Sequence, residues 1–469
     1  MAMRAHGVTT VDPKHVLAAL WRTAEQPEAA LDAVTLTGAE PVLPSSFAVG
    51  AAAQATIAAA ALAAGELRRL RTGRRQGISV AMRDAAIEFR SEHYLRVNGA
   101  LAHDGGDRIA GLYRCSDGRW ARLHTRLPHH RDGLLALLGC GYDRAAVQRA
   151  LSGWTAESLE AAAADAGLVV TACRSFAEWD EHPQGAAIAE LPLYSIDQIG
   201  DAPAEPLAMA DRPLAGIRVL DLTRIIAGPV CGRTLAAHGA DVLRVTAPHL
   251  PEVEPLVIDT GRGKLSTFLD LREKRGRDVL AALLRKAAIF IQGYRPDAVA
   301  AFGFGPRDAA RIRPGIVYVS LCAYGHEGPW AGRRGFDSLV QTASGLNAAE
   351  AEAAGIGDPR PLPAQALDHG TGYLMAFAAM TALARRAGTG GSWHVRTSLA
   401  QTGYWIRQLG RIDGMACPDP GDVDDRLETQ ASGFGELTAV RHAAIMTDTP
   451  PHWVRPSAPL GTHAPAWPE

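Results

Sequence analysis

Beyond residue 214 the chain alternates short apolar runs with amphipathic stretches. IRVLDL (217–222), DVLRVT (241–246), AIFIQG (288–293) and GIVYVSLCAYG (315–325) read as strands, and the segments opened by Gly228-Pro229 and by DVLAALLRKA read as helices. Apolar strands separated by helices predict a parallel sheet covered on both faces, with ligands outside the C-terminal strand ends. Residues 108–200 have a different rhythm. GLYRCSDGRWARLHT alternates around an Asp117-Gly118 turn and predicts a hairpin. Helices are predicted near 131–139, 144–151 and 156–166, with LVVTAC as a strand behind them. Asp12-Pro13 ahead of KHVLAALWRTAEQ predicts a capped helix. These patterns divide the chain into an N-terminal helical segment (1–40), a helix/strand unit with a small α+β domain (41–205), a Rossmann-like catalytic domain (206–410) and a Pro-rich tail (411–469) with no clear element. The Pro/Ala-rich stretch 198–213 reads as a linker.

Two stretches look alike. Registering Thr72-Gly73 on Thr389-Gly390 aligns Arg68-Arg69 with Arg385-Arg386 and Met82 with Leu399. Each is a small-residue helix followed by a Gly turn and a strand, which suggests an internal repeat. Chance similarity of composition is the alternative. The first copy, SSFAVGAAAQA, lacks a carboxylate where the second has Asp368. The alanine-rich run 48–65 is interrupted by Gln54 and Thr56, and reads as a buried helix and not a membrane span.

The chain of 469 residues is long enough for two or three domains. With 48 basic and 50 acidic residues its net charge is −2, which offers no electrostatic case for nucleic acid or an anionic membrane. Six scattered cysteines without a CxxC pair, and an N-terminus without an apolar signal core, point to a reduced, cytoplasmic protein. His124, His129, His130 and Asp132 cluster in sequence, but their spacing matches no ligand set, so no metal is expected.

Asp368, just ahead of Gly370 and Gly372, is either a helix cap or a nucleophile in a pocket that the glycines clear. DTGRGKLS lacks the first glycine of a Walker loop, leaving Arg262 and Lys264 as phosphate contacts or solvated charges. Tyr294 and Arg295 directly follow a strand. Gly325, Gly328, Gly332 and Gly335 suit a loop moving over a ligand. Asp337 is a second candidate carboxylate, but reads first as the cap of its own helix.

Taken in order, LAGIRVLDLTRIIAGPVCGRTLAAHGADVLRV, RGKLSTFLDLR, GYRPDAVAAFGFGP, IVYVSLCAYGHEGPWAGRRGFDSLVQTASGL and ALDHGTG resemble the family III CoA-transferases, across residues 214–405. ISVAMRDAAIEF, YRCSDGRWARLHT and FAEWDEHPQG resemble the segments that normally follow the catalytic half, and TDTPPHWVRPSAPLGTHAPAW resembles the last segment of the family. The halves therefore look rearranged. The resemblance implies a Rossmann-like domain with a smaller α+β domain, and an interlocked homodimer. It implies acyl-CoA and small carboxylic acids as substrates, with no permanently bound cofactor. Asp368 matches the nucleophile that forms an aspartyl anhydride and then an aspartyl-CoA thioester. Ile226, Ala227, Gly228, Pro229, Arg244, Arg262, Lys264, Tyr294, Arg295, Tyr324 and Gly325 are the implied CoA contacts, with the Gly325–Gly328 loop as a shield against water. Ala301 departs from a common arginine, Thr246 from a glutamate and Gly261 from an asparagine. Phe336 stands where the racemase branch carries its histidine base, which ranks acyl-CoA racemase or epimerase below transferase. A non-catalytic CoA-binding homologue is the reading from another class.

Overall fold

A computed structural model describes residues 10–102 and 105–468. The first nine residues of the N-terminal segment, and with them most of the stretch read for a signal core, lie outside the described residues. The central sheet has seven strands: β1 (Tyr194–Gly200), β2 (Arg218–Leu222), β3 (Asp241–Thr246), β4 (Lys264–Phe268), β5 (Ile289–Gln292), β6 (Val317–Cys322) and β7 (Ser392–Ser398). Their order is β4-β3-β2-β5-β6-β7-β1. All neighbours run parallel except β1, which pairs antiparallel with β7 at one edge. Burial on both faces explains why β2, β5 and β6 are mostly apolar, with Asp221, Gln292 and Ser320 as their buried polar residues.

The segment expected to carry loop charges forms β4 instead, an edge strand whose first residue, Lys264, is buried. The linker begins later than its composition predicts, because β1 takes residues up to Gly200 into the sheet. Its far end is pinned by the Arg71 guanidinium, which donates to the carbonyls of Pro213 (2.9 Å), Ala215 (2.9 Å) and Ala208.

Five helices position the site: α1 (Val49–Thr72), α2 (Ala227–Ala237), α3 (Asp337–Ala343), α4 (Ala366–Thr389) and α5 (Leu399–Gln408). α1 and α4 pack against each other at the centre of the molecule. The internal repeat is visible in their geometry. Both have 24 residues, and the preceding residues Ala48 (φ −75°, ψ 60°) and Gln365 (φ −75°, ψ 61°) share one backbone conformation. Each is followed by a strand and a further helix: Ile78–Ala81 with Met82–Glu88 after α1, and β7 with α5 after α4. In this register Ala51 stands opposite Asp368, packed in an apolar cluster with Ala48, Met82 and Ile412.

Among the described residues α1 alone is long and apolar enough to cross a membrane, and its apolar stretch is buried in protein. Its interrupting Gln54 donates to the carbonyls of Thr37 and Val80, both at 2.8 Å, so the polar residue ties the helix to the strands beside it. The small domain pairs Gly111–Arg114, Trp120–Leu123 and Val170–Ala172 under helices Pro128–Leu138, Arg144–Leu151 and Ala156–Asp165. The tail is ordered. Leu427–Ser432 and Gly435–Val440 form a hairpin beside Arg96–Val97, and Ala444–Met446 joins Ile78–Ala81. Its pairing partners come from the first hundred residues, so no local signal marks these strands.

Candidate active site

Asp368 lies in the first turn of α4, 6% exposed, at the C-terminal edge of the sheet. The loop from β2 into α2 reaches it. There Ile225 adopts φ 71°, a left-handed conformation that is strained for a β-branched residue and that turns the chain sharply into α2. The Ala227 N–H then donates to the Asp368 carboxyl. Asp337 does not cap its own helix. Its Oδ2 accepts from the backbone N–H groups of Leu367 (2.8 Å) and Asp368 (2.9 Å), capping α4 from outside. Gln341 donates to the other Asp337 oxygen. The repeat preserves this device, since Glu40 accepts from the N–H of Ala51 at 2.7 Å and from that of Gly50.

The glycines after Asp368 do not clear a ligand pocket. A Cβ on Gly372 would lie 2.6 Å from the Ala227 carbonyl oxygen and 2.8 Å from Val230, so this glycine is what lets α2 and α4 pack closely and brings Ala227 to Asp368. Gly370 faces Thr402 and Phe89 in the core.

Two cavities meet at Asp368. The larger, about 680 Å³, runs toward the small domain and is walled by Arg122, His124, Glu92 and Ile226. The smaller, about 320 Å³, opens along the strand ends and carries Arg224, Arg295, Arg333, Arg334, His129 and Tyr294. Leu127, Ile225, Phe336 and Asp368 line both. Among the described residues Asp368 is the sole acid of the smaller cavity and the sole acid the two share.

Electrostatics set the state of this carboxyl. Burial raises Asp368 well above the ordinary carboxylate range, the neighbouring Asp337 and Glu92 carboxylates push further up, and the Ala227 N–H offsets part of this. Burial lifts Asp337 to about 6, against its hydrogen bonds from Asp368, Gln341 and Leu367. Glu92 is also pushed up by burial, but the His369 ring, 3.0 Å away, outweighs this and holds it at about 2. Asp337 and Asp368 therefore behave as a coupled pair in which Asp368 keeps a proton longer.

The structure brings Asp368, Ile226, Ala227, Tyr294 and Arg295 to the cavities. The other residues expected as CoA contacts lie elsewhere. Gly228 packs on Thr223. The Pro229 carbonyl accepts from Lys264, whose ammonium also pairs with Asp221 at 2.7 Å, so Lys264 is an internal strut and not a phosphate contact. Arg262 is buried over the Trp453 ring and donates to the Val440 carbonyl. Arg244 is buried against Glu252 at 3.2 Å, and Glu252 in turn holds Arg224 of the smaller cavity. Tyr324 and Gly325 belong to a loop that Gln184 clamps: its amide donates to the Tyr324 and Glu327 carbonyls and accepts from the Trp330 N–H. That clamp holds the Gly325–Gly328 loop against Gln184, and its residues do not line either cavity. Arg122, Glu92 and Ile225 escape sequence reasoning, because no local pattern marks residues that only packing between distant segments brings together, and His124 is marked there only as part of a histidine cluster.

Comparison with known proteins then decides the family. The model for CoA-transferase family III matches residues 22–204 and 214–463. The chain belongs to this family. The acetyl-coenzyme A transferase nodX of Hypoxylon pulicicidum is 31% identical over 336 residues, 65% of this chain and 55% of that protein. An acyl-CoA transferase of Gibberella moniliformis is 32% identical over 316 residues, 62% and 55% of the two chains. The formyl-CoA:oxalate CoA-transferase of Streptomyces coelicolor is 32% identical over 204 residues, 41% and 48%. A crystal structure of Rv3272 from Mycobacterium tuberculosis superposes with a TM-score of 0.39 at 31% identity, covering 42% of this chain and 57% of that one. The chain thus spans about half the length of the curated relatives it matches first. The two matched segments meet in the region read as a linker, and the helix bearing Asp368 belongs to the second.

Proposed function

We propose that this chain moves coenzyme A between an acyl-CoA and a carboxylic acid, with Asp368 as the nucleophile. The observation that carries this reading is the single carboxyl shared, among the described residues, by a basic cavity and a larger one of mixed lining. The basic cavity suits the phosphates and pantetheine arm of CoA, and the larger one suits the acyl group and the acid. The strand order, with two parallel wings meeting between β2 and β5, supports reading the sheet as Rossmann-like, with ligands at that switch point.

The Asp368 carboxylate attacks the thioester carbonyl, the C–S bond breaks, and CoA leaves as thiolate. The thiolate then attacks the aspartyl carbon of the mixed anhydride, releasing the donor acid and leaving an aspartyl-CoA thioester. The acceptor carboxylate attacks that thioester, the C–S bond breaks to release CoA thiolate and a new anhydride forms, and thiolate attack on its acyl carbon gives the new acyl-CoA and restores Asp368. The Ala227 N–H, already on the carboxyl, orients it throughout. Transfer of label from a CoA ester into a second free acid tests the reaction; its absence across a panel of acids would overturn it.

The first step needs Asp368 without its proton. Activity is therefore expected to rise with pH through the raised apparent pKa of the Asp337–Asp368 pair. Asp337→Asn removes a neighbouring negative charge and so lowers the Asp368 pKa. The acid limb of the kcat/KM profile for acyl-CoA is expected to move down by about one to two pH units. An unmoved limb would detach Asp337 from the chemistry.

A second reading, acyl-CoA racemase or epimerase, draws on the His124 ring stacked on Phe336 at 3.9 Å in the larger cavity. Deuterium wash-in at the α-carbon of a 2-methylacyl-CoA tests it, and none is expected. A cytoplasmic location and a homodimer complete the proposal. Because one chain supplies both walls of the site, activity is expected to persist when the protein is diluted to a monomer, as followed by light scattering and turnover together.

A further inference from the structure

One polar ring in the larger cavity has no part in the chemistry derived so far. His124 follows the small-domain strand Trp120–Leu123 and lines the same cavity as Asp368. Its ring lies flat on that of Phe336, with centroids 3.9 Å apart and planes within 11°. Phe336 lines both cavities and directly precedes Asp337, whose carboxylate accepts from the Asp368 N–H at 2.9 Å. The stack therefore fixes the plane of the His124 ring against the residues that hold the nucleophile.

The nitrogens of this ring are unspent. His124 Nδ1 is buried without a partner. Nε2 is not closed off in that way, and makes no hydrogen bond among the described residues. Native proteins seldom leave such groups idle unless a ligand or a water completes them. Burial, with the Arg122 and Arg126 guanidiniums, pushes His124 down to about 3. The ring is thus neutral through the working pH range, with one N–H to donate and little tendency to take or lose a proton.

The chain beyond His124 adds positive potential at the same place. Leu127 lines both cavities and precedes the helix Pro128–Leu138, which has no side-chain cap and no acid in its first turn. The positive end of that helix dipole therefore lies at the seam of the two cavities, as does Asp368. His130, in its first turn, is 4% exposed, lines the smaller cavity, and leaves both ring nitrogens without a partner.

We infer that His124 donates a hydrogen bond from its ring N–H to the thioester carbonyl oxygen as Asp368 attacks, and is thereby a further catalytic residue. The inference rests on the transferase reading. An Asp368 oxygen bonds to the thioester carbon, and the C=O electron pair moves onto the carbonyl oxygen, where the His124 N–H meets the new negative charge. Collapse returns that pair to the C–O bond, breaks the C–S bond and releases CoA as thiolate. His124 keeps its proton throughout. A donor fixed in place before the reaction needs no reorganisation when the charge forms, and a neutral imidazole can polarise a carbonyl in this way.

His124→Phe preserves an aromatic stack on Phe336 and removes the donor. It is expected to lower kcat for CoA exchange from acetyl-CoA by about 10²-fold, with the KM for acetyl-CoA little changed. The acid limb of the kcat/KM profile is expected to stay where it is, because no titrating group is lost. His124→Gln, which keeps an N–H donor, is expected to recover about tenfold of that loss. His124→Leu repeats the comparison without the ring. A spectroscopic reading goes with the kinetics: acetyl-CoA, isotope-labelled at its carbonyl, is bound to Asp368→Asn and its carbonyl stretch recorded. The stretch is expected at lower frequency there than in Asp368→Asn/His124→Phe. Unchanged kcat in either apolar variant, a loss as deep in His124→Gln as in His124→Phe, a displaced acid limb, or equal frequencies would each overturn the inference and leave the transferase reading standing. A carbonyl shift that depends on His124, with no exchange to any acid in the unaltered protein, overturns the transferase reading instead.

Discussion

Asp368→Asn is expected to reduce CoA exchange by roughly 10³-fold or more, the scale on which loss of a covalent nucleophile falls. The amide is isosteric, still accepts from the Ala227 N–H, and leaves the Asp337 bonds to Leu367 and Asp368 in place. The fold is therefore expected to survive, with an unchanged or slightly raised Tm, because a buried carboxyl pressed by Asp337 and Glu92 is relieved. Binding of acyl-CoA, which the proposed function places along the smaller cavity, is expected to change little. Steady-state exchange, Tm and acyl-CoA affinity measured on one preparation check all three. A variant that keeps full exchange removes Asp368 from the reaction.

The second large effect is structural. Lys264 is 2% exposed, and its ammonium bridges Asp221 on β2 to the Pro229 carbonyl at the start of α2, both at 2.7 Å. The pair occupies space that Gly232 leaves open, since a Cβ there would lie 2.5 Å from Asp221 Oδ2 and 2.9 Å from Lys264 Nζ. Lys264→Met leaves the Asp221 carboxylate buried without its partner, and is expected to destabilise the chain by about 3–5 kcal/mol. The double variant Asp221→Leu/Lys264→Met is expected to recover most of that loss, because the desolvation of both charges disappears together. Denaturant unfolding of the single and double variants measures the difference. Asp221 also accepts from the Thr223 N–H at 3.1 Å, so the pair braces the loop that carries Ile225 and Ala227. Exchange in the double variant is accordingly expected to fall even where stability returns.

Legibility in the sequence tracks burial and locality. β2, β3, β5 and β6 are readable because strands covered on both faces carry continuous apolar runs. β4 is not, because an edge strand beginning with a buried lysine looks like a charged loop until Asp221 is seen beside it. The hairpin and the three helices of the small domain are readable from local turn and periodicity signals. The tail strands Leu427–Ser432 and Gly435–Val440 are not, since they belong to a sheet whose other strands lie more than three hundred positions away. The repeat is readable through Thr72-Gly73 and Thr389-Gly390, and the structure adds the matching caps Glu40 and Asp337 that sequence order does not reveal. At the site, the order of several motifs singles out Asp368. The roles of its neighbours are misjudged wherever a local rule competes with packing: Asp337 caps α4 and not its own helix, Gly372 admits α2 and not a ligand, and Gln184 fixes the Gly325–Gly328 loop. Arg122 sits in a hairpin with no local sign of chemistry, and only docking of the small domain turns it toward the cavity of Asp368.

The most direct test is to trap the covalent intermediate. The protein, incubated with an acyl-CoA and quenched with hydroxylamine or borohydride, is digested and its peptides are weighed. The account predicts a hydroxamate or reduced side chain on the α4 peptide at Asp368, absent from Asp368→Asn. Exchange that proceeds with that peptide unmodified, or with the modification on another residue, contradicts it.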